Sequence, residues 1–376
     1  MVTKAKASTE VGRGHRDLVK DVQEAGLCVY CGACAGSCPY LLAYNGRIVV
    51  LDNCNRTEGQ CYKYCPRTYT DMDEVSKKLF GAPFSENEFG AAKEVVLART
   101  TSKDIQGKGQ DGSVVTTLLT TALEAGLIDA AVLAKMNADK VPGGFIARTR
   151  QEIIDCARTS YEPCPTLQVI NQLPDDSKEK LAVVSLPCHA AAVAKMRTYP
   201  AEHRINIDNV KFVIGLFCGW TLAQGIHELM KQRFDLPNVV KFDIPHHPAH
   251  TYDAYYKDGS KAEIEIEDIR QYINNACSYC WDMTAELADV SVGSGRAKYH
   301  GWNTLIVRTE AGAKLVALAK KKGYLETQPI PEENIVNLRK ACLNKKKKAV
   351  KNLGEKYDGK LGYLGLPKAI VKKLSA

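Results

Sequence analysis

Cys28, Cys31, Cys34 and Cys38 stand in the run Cys28-Val-Tyr-Cys31-Gly-Ala-Cys34-Ala-Gly-Ser-Cys38-Pro39, which is C-x2-C-x2-C-x3-C-P. That spacing lets three thiolates of one loop reach three corners of a cubane iron–sulfur cluster. The fourth, stiffened by the proline after it, turns away toward a second cluster. The chemistry this implies is single-electron transfer. A zinc knuckle, the bland alternative, usually shows two separated C-x2-C pairs instead.

The same segment carries an altered copy, Cys54-Asn-Arg-Thr-Glu-Gly-Gln-Cys61-Tyr-Lys-Tyr-Cys65-Pro66. Its C-x3-C-P end repeats the first, but six residues separate Cys54 from Cys61 and the middle Cys is missing. The crossover rule gives Cys28, Cys31, Cys34 and Cys65 to the first cluster. It leaves Cys38, Cys54 and Cys61 for the second, without a fourth ligand. Three outcomes stay open: a 3Fe–4S cluster, a cubane completed by Glu58 or water, or no second cluster. Two Cys-Pro ends favour a genuine repeat, so residues 21–75 read as a small bacterial-type dicluster ferredoxin-like domain.

The later cysteines are spread out. Lys180 to Ser185 reads as a strand whose end is Leu186-Pro187-Cys188-His189, followed by a helix from Ala190 to Arg197. Lys211 to Phe217 reads as a strand ending at Cys218-Gly219, and Cys277-Ser-Tyr-Cys280 adds a C-x2-C pair. Sites in open α/β sheets form outside the carboxyl ends of strands. Cys188, Cys218, Cys277 and Cys280 therefore make a further candidate four-thiolate set, with buried free thiols an equal reading on spacing alone. Cys156, Cys164 and Cys342 match no run and read as core or spare thiols. His246, His247 and His250 crowd a proline-containing loop and read as surface histidines rather than ligands or proton relays. Gly32, Gly36 and Gly219, beside cysteines, suit backbone N–H groups that approach sulfides. No Ser/His/Asp or paired-carboxylate arrangement stands out, so the catalytic residues are unknown and a hydrolase is not expected.

A different signal lies between these sets. Glu94 to Thr100 is an apolar strand, Gln106-Gly-Lys-Gly109-Gln-Asp111-Gly112-Ser113 a glycine-rich loop, Val114 to Ala125 a helix, and Leu127 to Leu133 a strand. Gly107, Gly109, Gln110, Asp111, Gly112 and Ser113 are candidate phosphate contacts, because bare backbone and a helix N-terminus suit an anion. Asp111 or Ser113 can cap the helix. The loop matches neither the Rossmann nor the P-loop fingerprint, and a plain structural turn explains it equally well.

The chain that must position these groups has 376 residues, enough for two or three domains and a core needing no disulfides. Most of its 14 cysteines fall in ligand-like patterns, which points to a reducing, cytoplasmic setting. The first residues lack the apolar stretch of a signal peptide, and no run of 18 apolar residues is present, so no membrane span is expected. Residues 1–20 read as a flexible lead, 76–97 as a connector, 98–330 as the core, and 331–376 as a basic C-terminal tail. The net charge of +8 gathers there, at Lys345 to Lys348, Lys351, Lys372 and Lys373. A solvated helix face or loose tail is the preferred reading, and a docking strip for an acidic partner or anionic cofactor the alternative. Nucleic acid is not an expected partner, since no aromatics interleave the run.

Taken in order, Gly109-Gln-Asp-Gly-Ser-Val-Val-Thr-Thr-Leu-Leu, Ala125-Gly-Leu-Ile-Asp, Leu186-Pro-Cys-His, Leu216-Phe-Cys-Gly, Cys277-x2-Cys280, Ala288-Asp-Val-Ser-Val-Gly and Leu305-Ile-Val-Arg-Thr resemble the coenzyme F-420 hydrogenase/dehydrogenase beta-subunit family. The resemblance spans residues 90–325. It implies an α/β (α+β) flavoprotein core with a mixed sheet, binding FAD and a 4Fe–4S cluster. It also implies transfer between iron–sulfur clusters and a hydride carrier. On it, Cys188, Cys218, Cys277 and Cys280 become cluster ligands and residues 109–113 an FAD contact, for two or three 4Fe–4S clusters in all. The implied partners are other redox subunits of a hydrogenase, formate dehydrogenase or heterodisulfide reductase type, or a ferredoxin. The chain departs from the family where Cys188-His189 replaces a frequent Cys-Gln and Arg158-Thr-Ser-Tyr161 a frequent Gly-Ser-Lys-Tyr. These departures leave the carrier open between coenzyme F-420 and a nicotinamide. A cluster-only relay subunit and a reductase of another organic substrate are the other readings.

Overall fold

The structure, a computed structural model, describes residues 13–36, 38–199, 206–245, 249–295 and 297–375. Its centre is an eight-stranded mixed sheet: β1 (Glu94–Thr100), β2 (Ala130–Met136), β3 (Pro142–Ala147), β4 (Leu181–Ser185), β5 (Val210–Leu216), β6 (Val290–Ser294), β7 (Asn303–Val307) and β8 (Leu325–Pro329). The spatial order is β8-β1-β7-β6-β5-β4-β2-β3. The run β6-β5-β4-β2 is parallel, and β7, β1, β8 and β3 each join antiparallel to their neighbours. The sequence explains these places. Leu-Ala-Val-Val-Ser in β4 and Phe-Val-Ile-Gly in β5 are apolar on both faces, as strands covered on both sides must be. Glu326, Gln328 and Pro329 mark β8 as an edge.

Helix α1 (Val114–Glu124) is rich in valine and threonine, poor helix formers alone. It persists because most of it is buried and its threonines back-bond to the preceding turn, as in Thr120 Oγ1 to the Thr116 carbonyl at 2.9 Å. The strand expected from Leu127 begins at Ala130, because the Leu127 and Ile128 N–H groups close onto the Ala122 carbonyl beyond the helix end. Helix α2 (Pro187–Thr198) starts earlier than expected. Pro187 is its first residue, so Cys188 and His189 lie in a helical first turn rather than at a strand end.

The N-terminal segment holds a hairpin, Leu41–Tyr44 with Arg47–Val50, turned at Asn45-Gly46. Its residues Thr70–Asp71 pair in parallel with Leu364–Gly365 near the other end of the chain. Leu18, Val22, Met72 and Val75 share one hydrophobic cluster with Ala349, Leu353, Leu364, Ile370 and Leu374. The residues read as a solvated helix face or loose tail thus form α3 (Glu332–Lys356) and the helix Lys368–Ser375, packed on the cysteine-rich segment. The four-lysine run splits: Lys347 and Lys348 are solvated as expected, whereas Lys346 is buried. The stretch 76–97 read as a connector contains the end of the helix Met72–Phe80 and the start of β1.

Candidate metal centres and cofactor cavity

Cys28, Cys31 and Cys34 lie on a loop that coils through positive φ at Tyr30 (55°) and Gly32 (84°). Gly32 is required there: a Cβ on it would come within 2.6 Å of the Pro165 carbonyl oxygen. The loop is clamped to the core, with Leu167 N–H donating to the Cys31 carbonyl at 3.1 Å and Asn171 Nδ2 to the Ala33 and Ala35 carbonyls at 3.0 and 2.6 Å. The glycines beside these cysteines thus answer to packing on 165–171, while Gly219 faces open space. Cys65 joins the set electrostatically. Burial, then the neighbouring Cys31, Cys65 and Cys28 thiols, raises the Cys34 pKa well above that of a free thiol. Cys65 is pushed up to about 11 by burial, opposed by a hydrogen bond from the Arg67 backbone and by the charge of Lys195. Lys195 Nζ, buried, donates to the Cys65 carbonyl at 2.9 Å and the Thr68 hydroxyl at 2.8 Å.

Cys38, Cys54 and Cys61 form a looser group. Burial pushes Cys61 up to about 12, with Cys38 and Cys54 the neighbouring thiols that add to it. Cys54 accepts from the Arg56 N–H at 3.4 Å, and Glu58 is exposed to solvent.

The third set is assembled from distant positions. Cys188 is in the first turn of α2, Cys218 two residues past β5, Cys277 in the tight turn Asn275–Tyr279 and Cys280 directly after it. Burial and the other thiols raise Cys188 well above a free thiol and Cys218 to about 12. Cys277 Sγ accepts from the Thr221 N–H at 3.4 Å, and Cys218 is held from behind by Lys345 Nζ on its carbonyl at 2.6 Å. Cys31 of the first set is among the thiols felt by Cys188, so the two sets adjoin. Among the described residues no three Cys, His, Asp or Glu side chains converge as ligands of a single ion. Thiolates that each take a different iron of a cubane are not required to converge on one point, as the ligands of one zinc are.

A cavity of about 550 Å³ opens at the carboxyl ends of β4 and β5. Gly109, Gln110, Asp111 and Ser113 line one wall, and Leu186, His189 and Cys218 another. Gly112 is behind the wall, seated so tightly that a Cβ would meet the Ala98 carbonyl oxygen at 2.6 Å; Gly107 is out in open space. Neither expected residue caps α1. The Ser113 hydroxyl accepts from Gly109 N–H at 3.2 Å, and the Val114 N–H instead finds Asn303 Oδ1 at 3.2 Å. Three buried polar atoms of cavity-lining residues lack partners: Gln110 Oε1, Ser160 Oγ and His189 Nε2. Burial lowers His189 to about 4, so its ring is neutral.

Glu162 also lines the cavity, and burial raises its pKa to about 7. Its Oε1 is 3.5 Å from His227 Nδ1, within ion-pair range, yet burial also lowers the His227 pKa. Desolvation outweighs attraction at that distance and favours the neutral form of both groups. Cys156 and Cys164 belong to the cavity wall and Cys342 to the packing under α3, outside all three sets. His250 is exposed, and His246 and His247 lie outside the described residues. Sequence reasoning missed Arg67, Lys195 and Glu162, and read Lys345 only as part of the basic run. None of the first three belongs to a motif, although the position of Arg67 directly after Cys65-Pro66 was a usable signal.

The chain matches two family models of the coenzyme F420 hydrogenase/dehydrogenase beta subunit, that of its N-terminal part over residues 95–171 and that of its C-terminal part over residues 178–333. Cys188, Cys218, Cys277 and Cys280 fall inside the matched residues, and the seven N-terminal cysteines do not. It is 33% identical over 289 residues to the coenzyme F420 hydrogenase subunit beta of Methanothermobacter thermautotrophicus, covering 74% of this chain and 98% of that one. It is 28% identical over 353 residues to the coenzyme F420-dependent sulfite reductase of Methanocaldococcus jannaschii, covering 90% of this chain and 52% of that protein, so it spans about half of that relative. The fold is similar to a chain of the F420-reducing NiFe hydrogenase complex from Methanosarcina barkeri, with TM-score 0.64, 28% identity, and coverage of 71% of this chain and 93% of that chain. No helix among the described residues is long and apolar enough to cross a membrane.

Proposed function

The chain belongs to the coenzyme F420 hydrogenase/dehydrogenase beta-subunit family, and on that premise we propose that it is an iron–sulfur flavoprotein subunit of a larger redox complex. It passes electrons between 4Fe–4S clusters and coenzyme F420 by way of FAD seated in the cavity. One observation carries the reading: Cys218 belongs at once to the cavity wall and to the four-thiol set. A flavin bound there would exchange two electrons with the carrier and single electrons with a neighbouring cluster, the chemistry being the cofactor's own.

The residues present fit these groups. The cavity is within the usual range for a cofactor, about 300–1,000 Å³. Its unpartnered Gln110, Ser160 and His189 atoms offer hydrogen bonds that a polar ring system would satisfy. The first turn of α1, where Val115 and Thr116 line the cavity, would present a positive dipole end to a pyrophosphate, the N–H groups of Gly109, Ser113 and Val114 being already donated within the chain. Leu119, Leu133, Val292 and Leu338 keep water from the reacting face. Cys188, Cys218, Cys277 and Cys280 would hold one cluster beside the cavity, and Cys28, Cys31, Cys34 and Cys65 the next. Cys38, Cys54 and Cys61 would hold an outer cluster completed by a non-cysteine ligand, or one of three irons. Names of relatives supply the carrier and the partners, which are redox subunits of hydrogenase or dehydrogenase type.

The test is anaerobic purification with iron, sulfide and flavin counts, then assay with reduced coenzyme F420, NADH and NADPH against a dye acceptor. Flavin near one per chain and activity with reduced F420 are expected. Protein that holds iron but no flavin, and is inert toward all three carriers, is a cluster-only relay and ends the proposal.

A further inference from the structure

Arg67 is a buried guanidinium, 4% exposed, two residues after Cys65. It reaches across to the other end of the fold. Its NH1 donates to the Tyr279 carbonyl at 3.1 Å and its NH2 to the Ala276 carbonyl at 3.3 Å. Those two carbonyls flank Cys277 and adjoin Cys280. The guanidinium also bonds the Tyr363 hydroxyl and lies 5.0 Å from that ring's centre, and the same hydroxyl donates to Tyr279 O at 2.7 Å. One side chain therefore ties the Cys65-Pro66 end of the first thiol set to the Cys277–Cys280 turn of the third.

Two features of Arg67 remain unanswered by protein atoms. Among the described residues no carboxylate pairs with it, although an arginine cannot shed its charge and a buried, uncompensated cation is strongly disfavoured. Its Nε–H is buried and has no acceptor. Besides the Tyr363 hydroxyl, the titratable groups within its electrostatic reach are sulfurs of both sets: Cys28 and Cys65 on one side, Cys188, Cys277 and Cys280 on the other. A cubane held by four thiolates carries net negative charge, and one-electron reduction adds one more negative charge, so a fixed cation beside it favours the reduced form.

We propose that Arg67 is the shared counter-ion and bracket of two adjacent iron–sulfur clusters, with its free Nε–H given to cluster sulfur, so that one residue holds both reduction potentials up and the two clusters side by side. It is a positioning residue, and the proposal rests on the cluster reading above.

The experiment is an EPR-monitored redox titration of the anaerobically purified full chain, with iron counted per chain, for wild type, Arg67→Gln and Arg67→Lys. Wild-type protein without iron overturns the cluster reading and this proposal with it. In wild type that holds iron, Arg67→Gln should keep the iron yet move two signals together to lower potential. The reduced-to-oxidised ratio at the wild-type midpoint should fall at least tenfold, about 59 mV for one electron, with the Cys38, Cys54 and Cys61 signal unmoved. Arg67→Lys, which keeps the charge but not the fork or the Nε–H, should fall between the two. Wild-type potentials in an iron-replete Arg67→Gln protein overturn the proposal while leaving the cluster reading intact. Should Arg67→Gln lose iron, restoration by Arg67→Lys with lowered potentials supports it, and iron loss in both variants assigns Arg67 to folding alone and overturns it.

Discussion

Lys345 Nζ donates to the carbonyl oxygen of Cys218 at 2.6 Å, across 127 positions of sequence. The bond carries α3 onto the strand end that walls the cavity. The next residue, Lys346, turns further in, 2.8 Å from Glu286 Oε1, with both side chains almost fully buried and Trp281 and Phe84 rings beside the ammonium. A run of lysines that looks like a solvated face is thus also a strap over the redox core.

Lys346→Met should destabilise the protein by roughly 3–5 kcal/mol, because it leaves the Glu286 carboxylate buried and unpaired. Replacing both partners, Lys346→Met with Glu286→Leu, should recover a large part of that loss. Urea unfolding followed by tryptophan fluorescence reads both. A single variant as stable as wild type would show that the strap contributes nothing to stability.

Deleting residues 357–376 takes Tyr363, Leu364, Ile370 and Leu374 from the cluster they share with Leu18, Val22, Met72 and Val75. Each buried side chain of this size contributes about 1.5–3 kcal/mol. The expected outcome is selective: limited proteolysis should cut first within residues 13–75, while the eight-stranded sheet stays resistant. Protection of 13–75 in the truncated chain would show that the segment folds by itself.

Glu162 predicts a pH dependence. Its folded pKa is raised by burial from 4.5 to about 7, so the folded state holds the proton more tightly than the unfolded chain. Stability from this group is fully present below about pH 4.5 and is lost as pH rises to about 7, amounting to roughly 3 kcal/mol. Melting temperature should therefore fall between pH 5 and 7 in wild type and fall less in Glu162→Gln. Parallel curves for the two proteins would show that the carboxyl titrates normally.

Gly112→Ala and Gly107→Ala separate two reasons for glycine in the cavity loop. At Gly112 a Cβ meets the Ala98 carbonyl oxygen at 2.6 Å and the Asn303 nitrogen at 2.9 Å, so the loop must lift from its seat. At Gly107 space is open and only the left-handed backbone (φ 72°) resists, at about 1–2 kcal/mol. Flavin retained after gel filtration should drop severalfold in the first variant and stay near wild type in the second. Equal retention would detach the loop from cofactor binding.

The cysteine-rich runs and the loop were legible in the sequence because their information is local. Two- and three-residue gaps between cysteines, a glycine-rich loop between a strand and a helix, and apolar runs of strand length depend only on neighbours. The strand Glu94–Thr100 and the start of α1 at Val114 therefore fall where they were expected. The hairpin Leu41–Tyr44/Arg47–Val50 was not foreseen; in α3, read as a solvated helix face or loose tail, the polar and basic composition hides a face covered by another part of the chain.

Only the tertiary structure decided how the sets relate. Cys188, Cys218 and Cys277 come from a helix start, a strand end and a turn, and the proximity of the first two depends on β5 lying beside β4, which no local pattern encodes. The same holds for Arg67 between Cys65 and Cys277 and for Lys345 on Cys218. The sequence by itself determined which residue types can carry electrons. The fold determined which of them are buried together, because burial and a counter-charge belong to the packed chain and not to any single stretch of it.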